Sequence, residues 1–268
     1  MADPDAVAQG ADVAAWVEGG RVRHPRVRVA GEEWLLKSYR RGGLVALLNP
    51  DRYWGAGRFL QELSIAAAAH KCGVPVPEPL AVVLKEAGPC GACRAWQVVR
   101  FEPGLVSLRD LLLSADPLSP AWRALFVAGG EAVRRLHDAQ IDHADLNLAN
   151  ILARAASPND QGALVAGTPA ACAFIVDLDR ARMRSSGTWN PHRNLMRLWR
   201  STLKLVWAQR SSGSLAARLL PALRGFLRGY FGRDHAALDR LRTHIQAGRL
   251  SLALHALLWR LRGARRAA

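Results

Sequence analysis

The amino-acid sequence predicts an α+β fold with a strand-rich N-terminal lobe, residues 1–102, and a helix-rich C-terminal lobe, residues 103–268. Between residues 16 and 39, short runs of β-branched and apolar side chains are separated by glycines, a pattern typical of antiparallel strands. From residue 120 onward, apolar side chains recur at the spacing of an α-helix. Residues 101–104, Phe-Glu-Pro-Gly, fit neither pattern, so we place a hinge there.

The predicted N-terminal lobe consists of strands and a single helix. The helix occupies residues 57–72 and ends at Gly73, because glycine readily takes the positive φ that closes a helix and the prolines beyond it prevent continuation. The last two strands are joined by a turn at residues 88–91. The predicted strands are residues 21–23, 26–29, 33–37, 80–84 and 95–100.

The predicted C-terminal lobe is mainly helical, with one pair of strands. The strands, residues 151–154 and 174–178, can pair across a long loop rich in Pro, Gly and Ser, residues 156–169. The predicted helices are residues 105–114, residues 120–139 and the repeatedly basic stretch from residue 194 to the end.

Composition and charge limit the classes of function. The 268 residues suffice for one large domain or two packed lobes, and half of them are hydrophobic, as in ordinary folded proteins. The net charge of +15 at pH 7 indicates an anionic partner: nucleic acid, an anionic membrane surface or a phosphorylated substrate. Arginine carries nearly all of the excess, so we attribute part of it to composition bias.

The expected compartment is the cytoplasm. The sequence has no run of roughly 18 or more apolar residues, and its acidic start lacks the features of a signal peptide. The four cysteines are too few and too irregularly spaced for a disulfide framework. Cys90 and Cys93 have metal-like spacing, but zinc takes about four ligands and no second pair follows, so we expect two incidental thiols in a turn.

The sharpest functional pattern is His143-Ala-Asp145-Leu-Asn-Leu-Ala-Asn150, between a predicted helix and a predicted strand. Asp and Asn five positions apart in this context match the catalytic loop of kinases. Phosphoryl transfer needs a carboxylate that accepts the proton of the acceptor hydroxyl and a neutral oxygen ligand for a metal ion. We predict Asp145 as the catalytic base, Asn150 as a metal ligand and His143 as a residue that braces the loop.

Other residues complete a phosphoryl-transfer site. Asp177 follows an apolar strand, where a kinase places the carboxylate that binds Mg²⁺, and Asp179 is a candidate assistant. Lys37, at the end of another apolar strand, is predicted to bind the phosphates of ATP, and Glu62 in the next helix to pair with it.

Each of these positions also has an ordinary structural explanation. Carboxylates cap helices and form turns, and a Lys and a Glu are often merely solvated. The catalytic interpretation is favoured because the residues occur together, in the order and on the element types that a kinase requires. The weakest part is the glycine loop over the phosphates, because Gly19 and Gly20 lack its full spacing.

The sequence resembles the lipopolysaccharide kinase family, and within it the 3-deoxy-D-manno-octulosonic acid (Kdo) kinases. The resemblance spans most of the chain and is carried by residues 37–43, 73–77, 143–147, 177–180 and 194–201. It implies a protein-kinase-like fold of two lobes, with an ATP-binding N-terminal lobe and a C-terminal lobe for catalysis and substrate. It also implies ATP and Mg²⁺ as cofactors and phosphorylation of Kdo on a lipid A precursor in lipopolysaccharide core biosynthesis.

A sugar or glycolipid acceptor fits the sequence better than a protein. Ala144 replaces the Arg of regulated protein kinases, and no Ala-Pro-Glu segment follows Asp177. Kdo carries a carboxylate, lipid A carries phosphates, and the cytoplasmic leaflet is anionic, so the resemblance also implies peripheral contact with the cytoplasmic face of the inner membrane. Candidate substrate contacts are Arg40, Arg41, Arg180, Arg182 and Arg184.

Two alternatives stay open. One is a kinase of the same fold that acts on heptose, another small molecule such as an aminoglycoside, or protein Ser/Thr. The other is a non-catalytic basic protein on a kinase scaffold that binds nucleic acid or a membrane. We do not expect nucleic acid as the partner, because the catalytic set is complete. Residues 250–266 mix Leu and Trp259 with Arg, as in either a membrane-surface segment or a packed terminal helix.

Overall fold

A computed structural model describes residues 13–19, 22–41, 49, 51–88, 90–114, 119–155, 171–185, 191–208 and 213–247. The predicted loop at residues 156–169, Gly20 of the glycine loop and the C-terminal stretch 250–266 lie outside these residues. Contacts divide the chain into two compact units. The first extends to Pro103 and also includes Leu178–Ala181, whereas the second comprises Gly104–Asp177 and resumes at Arg182. Among the described helices, none is long and apolar enough to span a membrane.

Antiparallel strands make up most of the first unit. Its elements are β1 Val13–Gly19, β2 Val22–Val29, β3 Glu32–Ser38, β4 Tyr53–Trp54, α1 Gly57–Lys71, β5 Pro79–Glu86 and β6 Ala92–Arg100. The strands form one sheet in the order β1-β2-β3-β6-β4, and β5 also pairs with β6. The predicted break between residues 21–23 and 26–29 is wrong. Strand β2 continues through Pro25, since the fixed φ of proline is compatible with an extended chain and removes only one donor.

Helix α1 ends within one residue of its predicted end. Gly73 takes a φ of +74°, and its amide donates to the carbonyl of His70 at 3.0 Å, so this glycine closes the helix as predicted. Phe59, which is fully buried, packs against the rings of Tyr39 and Tyr53 with centroid separations of 4.6 and 5.1 Å. These aromatic contacts fix the first turns of α1 relative to the sheet.

Helices dominate the second unit. Its helices are α2 Leu108–Ser114, α3 Pro120–Asp138, α4 His192–Ala208, α5 Gly213–Phe231 and α6 His235–Ala247. Its strands are β7 Val106–Ser107, β8 Ile141–Asp142, β9 Ile151–Ala155, β10 Ala171–Ile175 and β11 Arg182–Met183. Strand β9 pairs with β10 and β7, and β8 pairs with β11. The predicted pairing of the two strands that follow the catalytic loop is therefore confirmed.

Two predicted boundaries in this unit are wrong. The helix expected at residues 105–114 begins only at Leu108, because Ser107 pairs with β9 and its hydroxyl accepts a hydrogen bond from the amide of Asp110 at 3.1 Å, which caps α2. The strand expected at residues 174–178 ends at Ile175. It cannot continue because Asp177 has a φ of +62°, outside the extended region.

Helices α3 and α5 approach each other until backbone meets backbone. A Cβ atom on Gly130 would overlap the carbonyl oxygen of Phe226, and one on Gly229 would overlap that of Val127. Glycine at both positions is therefore required by the close approach. Since α3 leads through β8 into the loop that contains Asp145, this contact sets where that loop begins.

Candidate active site

His143 holds the backbone of the predicted catalytic residue. It is fully buried, and its Nδ1 accepts a hydrogen bond from the amide of Asp145 at 3.1 Å. Its Nε2 lies 3.1 Å from the carbonyl oxygen of Val176. Because Nδ1 accepts and so carries no proton, the ring proton is on Nε2, which donates to that oxygen. Burial lowers the pKa of His143, which keeps the ring neutral in this arrangement. The ring has the geometry expected of the bracing role.

Two asparagines hold the other side of the same residue. The side-chain nitrogens of Asn147 and Asn150 donate to the carbonyl oxygen of Asp145 at 3.0 and 2.9 Å. Asn147 also caps the short 3-10 helix Leu148–Asn150 by accepting from the amide of Ala149 at 2.8 Å. The amide orientation of Asn150 directs its nitrogen to the carbonyl, so its Oδ1 is the atom that can bind a cation.

A second layer of polar residues, of which only Arg184 was predicted as a site residue, holds the start of the loop. Asn194 is fully buried; its Oδ1 accepts from the amide of His143 at 3.0 Å, and its Nδ2 donates to Asp142 at 2.6 Å. Arg197 donates to the carbonyl of His143 at 2.8 Å, and Arg184 donates to Asp142 at 2.7 Å. Polar residues at buried positions of the amphipathic helix α4 were the available sequence signal.

Charge and hydrogen bonding keep Asp142 ionised in this layer. Partial burial acts to raise the pKa of Asp142, but hydrogen bonds from Arg184 and Asn194 and the charge of the nearby arginines outweigh burial, so the pKa is lowered. Arg184 was one of our candidate substrate contacts. Its guanidinium is bound to Asp142 within the second unit, and its contact with the substrate stays a prediction.

The second unit brings Asn150 and Asp177 close together. The amide of Val176, the residue before Asp177, donates to the carbonyl oxygen of Asn150 at 3.0 Å. Asp177 is exposed and has a φ of +62°, a left-handed conformation that is uncommon for residues other than glycine. Such strain is concentrated at functional sites. Asp145, two hydrogen bonds away, is exposed as well.

In the first unit, Lys37 lies on β3 and Glu62 on α1. Glu62 is buried, 3% exposed, and its Oε2 accepts a hydrogen bond from the hydroxyl of Tyr39 at 2.8 Å. Burial, together with the charge of Glu62, raises the pKa of Tyr39, so the hydroxyl keeps its proton and donates. Tyr39 follows Lys37 by two residues and so points to the same side. The pairing of Lys37 with Glu62 stays a prediction.

Asp179 is paired with an arginine of the first unit. Its carboxylate receives two hydrogen bonds from the guanidinium of Arg58 on α1, from Nε to Oδ1 at 2.8 Å and from Nη2 to Oδ2. A bidentate pair of this kind fixes the orientation of the carboxylate. The idea that Asp179 assists in metal binding stays a prediction.

The remaining arginine candidates differ in their freedom. Arg41 donates through Nε and Nη2 to the carbonyl oxygen of Arg52, both at 3.2 Å, and lies 4.6 Å from the centroid of the Tyr53 ring, so it is held within the first unit. Arg40, Arg180 and Arg182 are exposed. Exposure is what a side chain needs to reach a substrate.

The oxygen donors of Asn150 and Asp177 fit Mg²⁺ rather than a softer metal. Mg²⁺ prefers oxygen ligands, and proteins often bind it through one or two side chains while substrate phosphates and water complete its shell. Among the described residues no three His, Cys, Asp or Glu side chains form a cluster that holds a metal on its own. The donor set therefore suits a metal that arrives with a nucleotide.

The model of the lipopolysaccharide kinase (Kdo/WaaP) family matches residues 9–218 of the chain. The chain belongs to this family. Membership confirms the predicted enzyme class: the chain is a kinase that transfers a phosphoryl group from ATP to a sugar hydroxyl in lipopolysaccharide biosynthesis. The order of strands and helices agrees with the predicted α+β, protein-kinase-like fold of this family.

Relatives of the kinase with curated names support the same membership. A 3-deoxy-D-manno-octulosonic acid kinase of Xylella fastidiosa (strain M12) is 32% identical over 192 residues, 70% of this chain and 69% of that protein. The protein of the same name from Vibrio cholerae is 30% identical over 197 residues, 71% of this chain and 74% of that protein. The solved structure of WaaP in complex with acyl carrier protein, 19% identical, covers 91% of this chain and 92% of that chain with a TM-score of 0.47.

Proposed function

We propose that this kinase phosphorylates the Kdo sugar of a lipid A precursor, with Asp145 as catalytic base, Asn150 and Asp177 as ligands of Mg²⁺, and Lys37 and Glu62 as anchors of ATP. The observation that carries the proposal is the hydrogen-bonded loop between Asp145 and Asn150. Hydrogen bonds fix both the amide and the carbonyl of Asp145, while its carboxylate side chain is exposed. An immobile backbone with an accessible carboxylate is what a general base requires.

Asp145 acts on the acceptor hydroxyl. As the hydroxyl oxygen forms its bond to the γ-phosphorus of ATP, the bond from that phosphorus to the bridging oxygen breaks and ADP leaves. The proton of the hydroxyl moves to the carboxylate of Asp145. Because His143 and the two asparagines fix the Asp145 backbone, little reorganisation is needed at this step.

Asn150 and Asp177 hold the metal through oxygen atoms of an amide and a carboxylate. The hydrogen bond between the Val176 amide and the Asn150 carbonyl keeps the two ligands near each other. Charge on the phosphates is offset by Mg²⁺ when it is bound. Lys37 contributes a further positive charge to the phosphates, and Tyr39 orients Glu62 for its role beside that lysine.

The acceptor is inferred from the relatives and from charge. Curated relatives in two genera are named for Kdo, and Kdo carries a carboxylate next to the phosphates of lipid A. Exposed arginines of this chain, with Arg40, Arg180 and Arg182 as the candidates, match such an anionic acceptor. The same excess of positive charge, +15 in total, supports peripheral contact with the anionic cytoplasmic face of the inner membrane.

The test is transfer of labelled phosphate from ATP, with Mg²⁺, onto a lipid A precursor that carries Kdo. Asp145→Asn should lower the rate by about 10²- to 10⁴-fold, the usual contribution of a general base. Asp138→Asn is the matched control, because Asp138 lies on the surface of the same unit and, among the described residues, pairs only with Arg134 four residues earlier. A normal rate in Asp145→Asn would remove that residue as the base. Transfer to heptose in place of Kdo would reassign the acceptor.

A further inference from the structure

Polar side chains form a row across the middle of the sheet in the first unit. Lys37 on β3 lies directly opposite Gln97 on β6. Strands β2 and β3 pair with Arg26 opposite Leu35, and continuing this register by two residues places His24 opposite Lys37. Residues directly opposite each other in a sheet point to the same face. His24, Lys37 and Gln97 therefore share one face, the face predicted to bind ATP.

His24 is a buried member of this row. It is 8% exposed, and its Nδ1 is buried without a partner among the described residues. A buried polar atom that is left unpaired destabilises a protein, so native structures rarely keep one without a reason. In the buried His137 of the second unit the corresponding nitrogen does have a partner, because its Nδ1 lies 2.7 Å from the hydroxyl of Tyr230.

The environment of His24 favours an anionic partner. Burial and then the charge of Lys37 lower the pKa of His24 to about 4, so the ring is neutral at pH 7. A neutral imidazole carries one N–H and places it on the nitrogen that has an acceptor. A group that can bind beside both an ammonium and an imidazole N–H on the same face is an oxyanion with several acceptor oxygens.

We propose that Nδ1–H of His24 donates a hydrogen bond to a phosphate oxygen of the nucleotide that Lys37 holds, which makes His24 a further nucleotide-binding residue. The inference rests on the proposed role of Lys37. His24 thereby gives the phosphates a second contact from the sheet, on the strand that follows the residues where a glycine loop is expected.

The test compares the binding of ATP, ADP and adenosine, each with Mg²⁺, to the native kinase and to His24→Leu by calorimetry. We expect the variant to bind ATP and ADP about 10-fold more weakly, the loss typical of one hydrogen bond to a charged group, and adenosine with unchanged affinity. Without nucleotide its melting temperature should stay the same or rise, since an unpaired buried polar group is replaced by an apolar one. His24→Asn, which keeps an N–H donor, should recover part of the affinity.

Two variants separate the possible failures. Lys37→Met should weaken ATP binding; if it does not, or if the native kinase does not bind ATP, the proposed function fails. If Lys37→Met weakens binding but His24→Leu does not, only the inference about His24 fails. An equal loss for adenosine would also overturn it, because the contact would not be to phosphate. His137→Leu is the matched control: it should lower the melting temperature and leave ATP affinity unchanged, because it removes a hydrogen bond made to Tyr230.

A measurement on the native chain removes dependence on the folding of any variant. The ¹⁵N shift of His24 Nδ1 reports whether that nitrogen carries a proton. We expect addition of ADP and Mg²⁺ to move this signal to the protonated, hydrogen-bonded range. A signal that does not respond to saturating ADP would contradict the proposal.

Discussion

The loop around Asp145 and the sheet face around Lys37 differ in how completely the protein satisfies their polar groups. In the loop, the amide and carbonyl of Asp145 both have partners, and so do those of His143. On the sheet face, His24 keeps a buried nitrogen without a partner among the described residues. The difference fits the two proposed roles, since a catalytic base must be positioned before the substrate arrives, whereas phosphates bring hydrogen-bond acceptors with them.

The loop and the sheet face are held in place by side chains from different parts of the chain. Helix α4 supplies Asn194 and Arg197 to hold the loop, although some fifty residues separate them from it in sequence. In the sheet, the corresponding order comes from side chains within the first unit, such as the Tyr39 hydroxyl on Glu62. Substitutions in the loop should therefore impair turnover, whereas those on the sheet face should impair the binding of ATP.

Among substitutions of residues that support the loop or the sheet face, Asn194→Leu should have the largest effect. The substitution removes hydrogen bonds to the amide of His143 and to Asp142, and at about 1–3 kcal/mol for each unsatisfied group the free energy of unfolding should fall by roughly 2–6 kcal/mol. We expect turnover to fall by about 100-fold with little change in KM for ATP. Thr202→Val on the same helix is the control, because within the part of the chain that the structure describes the Thr202 hydroxyl bonds only to the carbonyl of Leu198 in its own helix. Equal losses in both variants would contradict the holding role of Asn194.

Tyr39→Phe tests the sheet face. The variant loses one hydrogen bond to a buried carboxylate, worth about 1.5–3 kcal/mol, while the aromatic packing on Phe59 stays. We expect KM for ATP to rise several-fold at nearly constant turnover. Tyr53→Phe should leave both KM and turnover unchanged, since the Tyr53 hydroxyl has no hydrogen-bond partner within the described part of the chain. If Tyr39→Phe lowered turnover and left KM unchanged, Tyr39 would support the catalytic step, as the loop residues are expected to, and not the binding of ATP.

Buried histidines, His24 and His137 among them, should make stability depend on pH. Burial lowers the pKa of His24 to about 4 and that of His137 to about 3, so below pH 6.5 the unfolded chain binds protons that the folded chain does not. Stability is complete above pH 6.5 and is lost as pH falls, by about 1.4 kcal/mol per pH unit for each ring. Unfolding by urea between pH 7 and pH 5 should show a shallower slope in His24→Leu and in His137→Leu. An unchanged slope would mean that the ring in question titrates normally when folded.

The smallest effect is expected for Arg58→Gln. The guanidinium of Arg58 and the carboxylate of Asp179 are 39% and 24% exposed, so solvent screens their pairing and its loss should cost only about 0.2–1 kcal/mol. Arg134→Gln, which breaks the pair with Asp138, provides a comparison in the second unit. Thermal unfolding measures both. A loss of several kcal/mol for Arg58→Gln alone would show that this pair does more than an exposed ion pair.

Short sequence patterns were enough to predict the elements that end at a glycine or proline, and the loop that contains Asp145 and Asn150. Gly73 closes α1 because its conformation needs no partner from elsewhere in the chain. The strand near Asp177 was misplaced because the apolar run from Phe174 to Leu178 resembles a strand, whereas the ladder with β9 uses the small residues that begin at Ala171.

The layer that supports the loop was beyond the reach of sequence patterns. No local sequence pattern indicates that Asn194 contacts His143, because that contact depends on how α4 packs in the folded unit. The same holds for Asp179, whose partner Arg58 precedes it by 121 positions. Motifs identify residues that react, but packing decides which polar residues hold them.

At position 177 the backbone conformation favours glycine, whereas the proposed reaction requires a carboxylate. Glycine would adopt the same φ without strain, and the exposed carboxylate at this position fills no part of the core. Asp177→Gly should therefore fold as well as the native chain and yet be inactive. In its proposed role as a metal ligand, Asp177 keeps an acid at a position where glycine would be less strained.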